Sequence, residues 1–246
     1  AAPLIELGLL EMQSGRDDRA LDVLRKVAEV DRFNERATFS LRLLEELAGF
    51  KTLESDHFLI RYRPGEDEVV ARMMPEALDQ MHREVTARFG HEPAQRTVIE
   101  VMPNHQFFSV RITGMPWIHT IAACTGPVIA IEVPREGART DHLGLFDWLE
   151  VLRHEYTHTI TLDRTRNRIP HWLTEAASVS METRPRDYQT QKMLATALRA
   201  GELFDLDEIN WAFVRPRKPT DRSMAYAQGA WTVEFMDEAW GQQALI

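Results

Sequence analysis

The spacing of apolar positions along the chain is helical at first, then strand-like, then helical again. Over residues 1–50 apolar side chains recur at helical spacing, and the polar break at 15–18 separates two runs, which predicts a helical hairpin. Short apolar runs at 57–62, 97–102 and 128–133 predict strands. A helical pattern over 67–89 separates the first two strands.

From Asp141 onward the periodicity is almost wholly helical. It predicts a long helix that continues through residue 158, followed by helices over 170–182, 188–200 and 223–240. Strands followed by helices predict the α+β fold class, with a small mixed sheet and a helical subdomain that meet at a cleft.

This pattern also predicts a division into domains. The hairpin at 1–50 forms one part, and a second domain covers 51–246. Within the second domain we expect a sheet-rich part at 51–140 and a helical part at 141–246.

Composition and charge narrow the functional classes. The 246 residues are 44% hydrophobic, which is ordinary for a globular protein, and the net charge of −9 without a long Lys/Arg run argues against a nucleic-acid partner. The single cysteine, Cys124, excludes intrachain disulfides and multi-cysteine zinc sites. No run approaches the roughly 18 apolar residues of a membrane span. The pattern begins mid-helix, so we expect a piece of a longer protein, and the compartment stays undetermined.

Residues 154–158 read HEYTH. Residues four apart on a helix point in nearly the same direction, so His154 and His158 can bind one metal ion, and Glu155 can take a proton from a water bound to it. The same letters also suit a solvated helix face. Apolar residues on several sides of the segment, such as Trp148, Leu152 and Ile160, favour a buried helix, in which two histidines need a compensating partner.

A catalytic zinc site usually has three protein ligands. A third histidine six residues after the second is excluded, because Arg164 occupies that position. An upstream cysteine is a second option, and Cys124 exists, but its neighbours do not resemble the cysteine motif of such sites. A glutamate on the following helix is the third option, and Glu175 follows His158 by 17 residues.

HEYTH followed by IPHWLTEAASVSME resembles the gluzincin zinc metallopeptidases, and more closely the bacterial peptidase MA-like metallohydrolases. Similarity at the level of patterns covers most of residues 55–240. In that family the downstream glutamate is the third zinc ligand, which implies Glu175 here. Two positions depart from the pattern: Ala176 stands where the family has glycine, and Val179 where thermolysin-like members have a second-shell aspartate.

The resemblance implies a thermolysin-like fold around a zinc cleft and one Zn²⁺ per chain. It implies hydrolysis of a peptide or protein substrate, with Glu155 as general base. Tyr226 is the candidate stabiliser of the oxyanion, with His171 a weaker option. The family commonly binds its substrate as an added strand, and the resemblance assigns this edge to 120–133. Since no aminopeptidase motif precedes HEYTH, an endopeptidase is favoured.

The hairpin resembles one tetratricopeptide repeat, with Leu7-Gly8, Ala20, Leu24 and Asn34 at matching places, although an ordinary helical pair fits as well. Such repeats often accompany this peptidase family and bind protein partners. An inactive interaction module is therefore the main alternative to a peptidase. Hydrolysis of a non-peptide amide by the same zinc chemistry is a third possibility.

Overall fold

The computed structural model describes residues 2–133 and 146–245, in which ten α-helices and five β-strands occur. In chain order they are α1 (Ala2–Gln13), α2 (Asp17–Val30), α3 (Glu35–Leu47), β1 (Lys51–Glu54), β2 (Phe58–Tyr62), α4 (Asp67–Phe89), β3 (Thr97–Met102), α5 (His105–Thr113), β4 (Ala122–Cys124), β5 (Val128–Glu132), α6 (Trp148–Thr165), α7 (His171–Met181), α8 (Tyr188–Ala200), α9 (Leu206–Val214) and α10 (Asp221–Trp240). A 3₁₀ turn, Gln242–Leu245, follows α10.

The chain divides into two compact units. The first unit comprises Ala1–Arg83 and Pro93–Glu155, and the second comprises Glu84–Glu92 and Tyr156–Ile246. The division falls within α4 and α6, so each of these helices contributes residues to both units. The three helices that precede β1 belong to the same unit as the sheet, while the predicted boundary at residue 50 stays a prediction.

The first unit contains a five-stranded mixed sheet of order β1-β2-β3-β5-β4. The central strands β2, β3 and β5 are parallel, and β1 and β4 pair antiparallel at the two edges. Parallel neighbours need a crossover, which α4 provides between β2 and β3 and α5 provides between β3 and β5. Their β-branched residues are buried except for the half-buried Val98, as expected of strands covered on both faces.

Helices α1, α2 and α3 bury their apolar stripes in a core shared with α5 and with sheet residues Met102 and Ala130. Leu24 and Leu43 are fully buried there. Gly8 permits the close approach of α1 and α2, because a Cβ at this position would lie 2.7 Å from the side chain of Leu24. The first three helices are therefore packed on the sheet as part of one core.

A network of buried charges joins these helices to the sheet. Glu100 of β3 is fully buried and accepts two hydrogen bonds from Arg111 of α5, at 2.6 and 3.1 Å. It accepts a third, at 2.9 Å, from Arg61 of β2, which also donates to Asp17 at 2.6 Å. Arg111 donates in addition to the backbone carbonyl of Met12. Residues of α1, α2, α5, β2 and β3 are thus linked through the two arginines that contact Glu100.

Arg61 illustrates the balance of terms in this network. Burial opposes the charged form of its guanidinium, but Glu100 and Asp17 outweigh burial and raise the pKa of Arg61 above its ordinary value. The two carboxylates therefore favour the charged form of the Arg61 guanidinium.

In the second unit α10 packs along α7, and small residues set their spacing. A Cβ built at Gly229 would lie 3.1 Å from that of Ala176, which is fully buried. Arg88, at the end of α4, holds Asp237 of α10 through two 2.7 Å hydrogen bonds. Trp172, Ile209 and further apolar residues of α7, α9 and α10 form the core between them.

The predicted α+β class is confirmed, as are its small mixed sheet and most of its elements. Residues 1–50, predicted as a hairpin of two helices, contain three, because Asn34 caps the start of an additional helix, α3. Strands β1 and β4 and helices α5 and α9 were not predicted, because they are short and their apolar periodicity is weak. The predicted helix start at Asp141 lies outside the described residues. Within the described ranges, no helix combines the length and apolarity needed to cross a bilayer.

Replacing Glu100 with glutamine should lower the free energy of unfolding by about 3–5 kcal/mol, because it leaves Arg111 buried beside a neutral amide. Urea denaturation measures this change. Glu45→Gln, on the exposed side of α3 in the same unit, is the matched control and should shift stability by no more than about 0.5 kcal/mol. A loss below about 1 kcal/mol for Glu100→Gln would contradict the assigned role.

Candidate metal centre

The structure brings together the three side chains predicted to bind a metal. His154, His158 and Glu175 each offer one ligand atom, and these atoms all lie within 4.8 Å of one another. Both histidines lie on α6, one helical turn apart, so the continuous helix itself fixes their spacing. Glu175 is on α7, in its second turn. The sequence segments HEYTH and HWLTEA thus supply one group of ligands.

His158 and Glu175 approach each other closely in a dry environment. Nε2 of His158 lies 3.5 Å from Oε2 of Glu175, and their side chains are only 9% and 12% exposed. A charge-assisted hydrogen bond between nitrogen and oxygen is normally about 2.7–2.9 Å long. The 3.5 Å between Nε2 of His158 and Oε2 of Glu175 is therefore too long for a strong direct hydrogen bond.

A chain of hydroxyl groups connects Nδ1 of His158 to a backbone carbonyl. Thr161 Oγ1 donates to the carbonyl of Thr157 at 2.9 Å, which uses its single proton. In that arrangement Thr161 can accept from Thr174 Oγ1, 2.7 Å away. Thr174 can in turn accept from Nδ1 of His158 at 2.8 Å. This order of donors puts the proton of a neutral His158 on Nδ1 and leaves Nε2 as an acceptor.

Two acceptor atoms therefore face each other when His158 is neutral. A neutral Nε2 and a carboxylate oxygen repel at 3.5 Å unless a positive charge lies between them. Zn–N and Zn–O bonds of about 2.0–2.2 Å at a tetrahedral angle give a ligand separation of about 3.4 Å. The donor atoms and their spacing fit a zinc ion. Either a proton on His158 or a metal ion would satisfy Nε2 of His158 and Oε2 of Glu175.

The hydroxyl group of Thr174 contacts the ring nitrogen of His158 that does not face Glu175. A metal-binding histidine usually donates its other ring N–H to an oxygen that fixes the ring. Here that oxygen is the hydroxyl of Thr174, the residue just before Glu175. Sequence reasoning missed this role, because the hydrogen bond joins two helices and depends on how they pack.

His171 is a further neighbour of the ligand group. Its Nε2 lies 3.4 Å from Oε1 of Glu175, one helical turn later on α7, and its side chain is 51% exposed. The two oxygens of Glu175 thus meet two different imidazoles. The ring of His171 also contacts Phe213 edge-on, with centroids 5.3 Å apart.

Tyr226 belongs to the same cluster of rings. It packs edge-on against Phe213, with centroids 4.8 Å apart, and Phe213 connects it to His171. These contacts place the ring of Tyr226 in the core that also contains Trp172 and Ala176. The role of its hydroxyl group stays a prediction.

Glu155 is half-buried on α6, directly after His154. Successive helical residues point about 100° apart, so its carboxylate is directed beside the ligand face and not along it. This orientation suits a base next to a bound metal better than a fourth ligand. Its assignment as general base remains a prediction.

A second set of side chains, His57, His82 and Glu92, also offers ligand atoms within 4.8 Å of one another. The rings of His57 and His82 are stacked, with centroids 3.6 Å apart and planes 9° from parallel. The in-plane lone pairs of two parallel rings run side by side and do not converge on one ion. The stack therefore has the geometry of ring packing, to which Phe58 adds an edge-on contact.

No protein-family model, curated protein or solved structure matches this chain. The assignment of a metal site therefore depends on the chain's own residues and their geometry.

Zinc added to the metal-free protein should bind at about one ion per chain at HEYTH and Glu175. Replacing His158 or Glu175 with alanine should weaken binding well beyond the 10- to 100-fold typical of losing a partner behind a ligand. Calorimetric titration and elemental analysis measure affinity and content. His119→Ala removes an exposed histidine outside both sets and should change neither. Unchanged zinc affinity in both ligand variants would exclude the site.

Thr174→Val should lower zinc affinity about 10- to 100-fold, because it deprives the Nδ1 hydrogen of His158 of its acceptor while conserving volume. Thr174→Ser keeps the hydroxyl group and is the matched control. The zinc affinities of the two variants are measured by competition with a chelator of known affinity. Equal affinities for the valine and serine variants would show that the hydroxyl chain does not orient His158.

Proposed function

We propose that the protein is a zinc-dependent peptidase, most simply an endopeptidase, whose metal is held by His154, His158 and Glu175. The observation that carries the proposal is the 3.5 Å approach of Nε2 of His158 and Oε2 of Glu175, two buried atoms that both suit a cation. Two imidazoles and one carboxylate are a ligand set that zinc accepts, and three ligands leave a position for water. When bound, zinc makes such a water acidic near neutral pH and polarises a carbonyl group.

Glu155 acts as general base in this proposal. Its carboxylate takes a proton from the attacking water and later returns it to the nitrogen of the leaving amine. A carboxylate suits both steps because the attacking water is already acidified. Its position directly after His154 on a largely buried helix supports this role, since the helix restricts where the carboxylate can reach.

A hydrogen-bond donor is needed where negative charge develops on the carbonyl oxygen. Tyr226 is the proposed donor, and its ring contact with Phe213 supports a fixed orientation. His171 is a second candidate, because Glu175 lies 3.4 Å from its Nε2 and the ring is partly open to solvent. Either group would have to turn its donor toward the substrate.

The substrate is proposed to be a peptide in extended conformation. Segment 120–133 supports this idea, since it contains β4 and β5, and β4 is an edge strand of the sheet. Edge strands offer unpaired backbone groups to an added strand. The three helices at 2–47 are proposed as a surface for a protein partner.

The alternatives differ in chemistry rather than in fold. An inactive peptidase-like interaction module would keep the helices and the sheet and would not turn over substrate. Hydrolysis of a non-peptide amide would use the same residues and would appear as metal-dependent activity that is absent from peptide substrates. Zinc content, together with turnover of peptide and of non-peptide amide substrates, distinguishes these three cases.

Glu155→Gln should reduce kcat on a peptide library by about 100- to 10,000-fold, because it removes the base, and should leave zinc content at one per chain. Turnover is followed by mass spectrometry of the products. Glu150→Gln, earlier on the same helix, is the control and should retain activity. Residual activity equal to that of the wild-type protein would refute Glu155 as the base. Zinc binding without turnover of any amide would favour the interaction module.

A further inference from the structure

A pocket of about 380 Å³ lies in the second unit, along α10. Its lining residues combine apolar, polar and acidic side chains: Leu203, Gln228, Trp231, Thr232, Glu234, Phe235 and Glu238. None of them is among the metal ligands. The volume suits a small molecule or one long side chain.

The pocket is built on one face of α10. Positions 228, 231, 232, 235 and 238 recur at helical spacing and therefore point to the same side. Leu203 forms the opposite wall, and Gln228 holds that wall in place. Its Oε1 accepts from the backbone N–H of Phe204 at 2.9 Å, and its Nε2 donates to the carbonyl of the same residue at 2.7 Å. The walls are therefore preformed.

Two aromatic rings supply the apolar surface. Trp231 is half-buried and packs on the small core formed by Leu194, Met224 and Ala227. Phe235 is 57% exposed and meets Trp240 edge-on, with centroids 5.6 Å apart. Large exposed aromatic side chains beside a cavity are typical of ligand sites, because the rings offer both apolar area and π-faces.

The charges around the pocket are negative and incompletely balanced. Glu234 pairs with Arg186 at 2.6 Å, and Asp237, one turn before the helix ends, pairs with Arg88 at 2.7 Å. Among the described residues, no cation pairs with Glu238. It lies four residues after Glu234 and near the negative end of the α10 dipole, so a cationic group beside it would be stabilised.

We infer that this pocket binds an organic cation, an alkylammonium or guanidinium group on an apolar stem. Glu238 would compensate the charge, the faces of Trp231 and Phe235 would stabilise the cation, and the apolar stem would lie against Leu203. The inference does not rest on the proposed peptidase activity. A free amine and the basic side chain of a peptide carry the same chemistry.

The probe is 4-phenylbutylamine, titrated by calorimetry into the whole protein, with 4-phenylbutan-1-ol and 4-phenylbutanoate as neutral and anionic controls. We expect saturable binding of the amine at least tenfold tighter than that of the alcohol, and weaker binding as salt is raised. Acetyl-Leu-Arg-Leu-amide and acetyl-Leu-Gln-Leu-amide form the peptide arm. Tighter binding of the arginine peptide than of the amine would identify a basic side chain as the source, and the reverse a free amine.

Substitutions of pocket residues test whether the amine binds in this pocket. Glu238→Gln should weaken the amine about three- to tenfold, and Phe235→Leu by a similar factor, while Glu45→Gln in the first unit should have no effect. Glu238 and Phe235 are both exposed, so melting curves should be close to that of the wild-type protein. Equal binding of amine, alcohol and carboxylate would overturn the inference, as would a dissociation constant of the amine above about 10 mM.

Discussion

Burial of His158 and Glu175 as neighbours is the constraint on which the candidate site depends. Each group would lose several kcal/mol of hydration if nothing replaced its water. The protein replaces part of this hydration with its own hydrogen bonds. Thr174 and Thr161 link Nδ1 of His158 to the backbone carbonyl of Thr157. In this order of donors Nε2 of His158 and Oε2 of Glu175 face each other across 3.5 Å, a separation that suits a positive charge between them.

The first unit solves a similar problem in a different way. Glu100 is also a buried carboxylate, but two guanidinium groups from Arg61 and Arg111 surround it at hydrogen-bonding distance. Around Glu100 the protein's own arginines supply the positive charge, and they fix the helices to the sheet. Imidazoles, which Glu175 meets instead, are neutral or charged according to pH and can give their lone pairs to a metal. The surroundings of Glu100 therefore suit a structural role, and those of Glu175 suit metal binding.

Sequence reasoning succeeds where local spacing determines the geometry. The four-residue interval of His154 and His158 defines a ligand pair on any helix, and strong apolar periodicity revealed α4, α6 and α7. Sequence reasoning fails where contacts between helices or strands determine the geometry. Thr174 reaches His158 only because α7 packs on α6. Helix α5 has local signals, with Asn104 capping its start and Gly114 in the left-handed conformation at its end, but its 9 residues are too few for a clear apolar period.

Ala176, the residue after Glu175, contributes to the packing of α7. Its methyl group is fully buried and lies where α7 meets Gly229 of α10. Because neighbouring residues on a helix point about 100° apart, this methyl group and the carboxylate of Glu175 occupy different faces of α7. A glycine at one helix surface, Gly229, accommodates a methyl group at the other. Ala176 thus belongs to the contact between α7 and α10, and leaves the ligand face to Glu175.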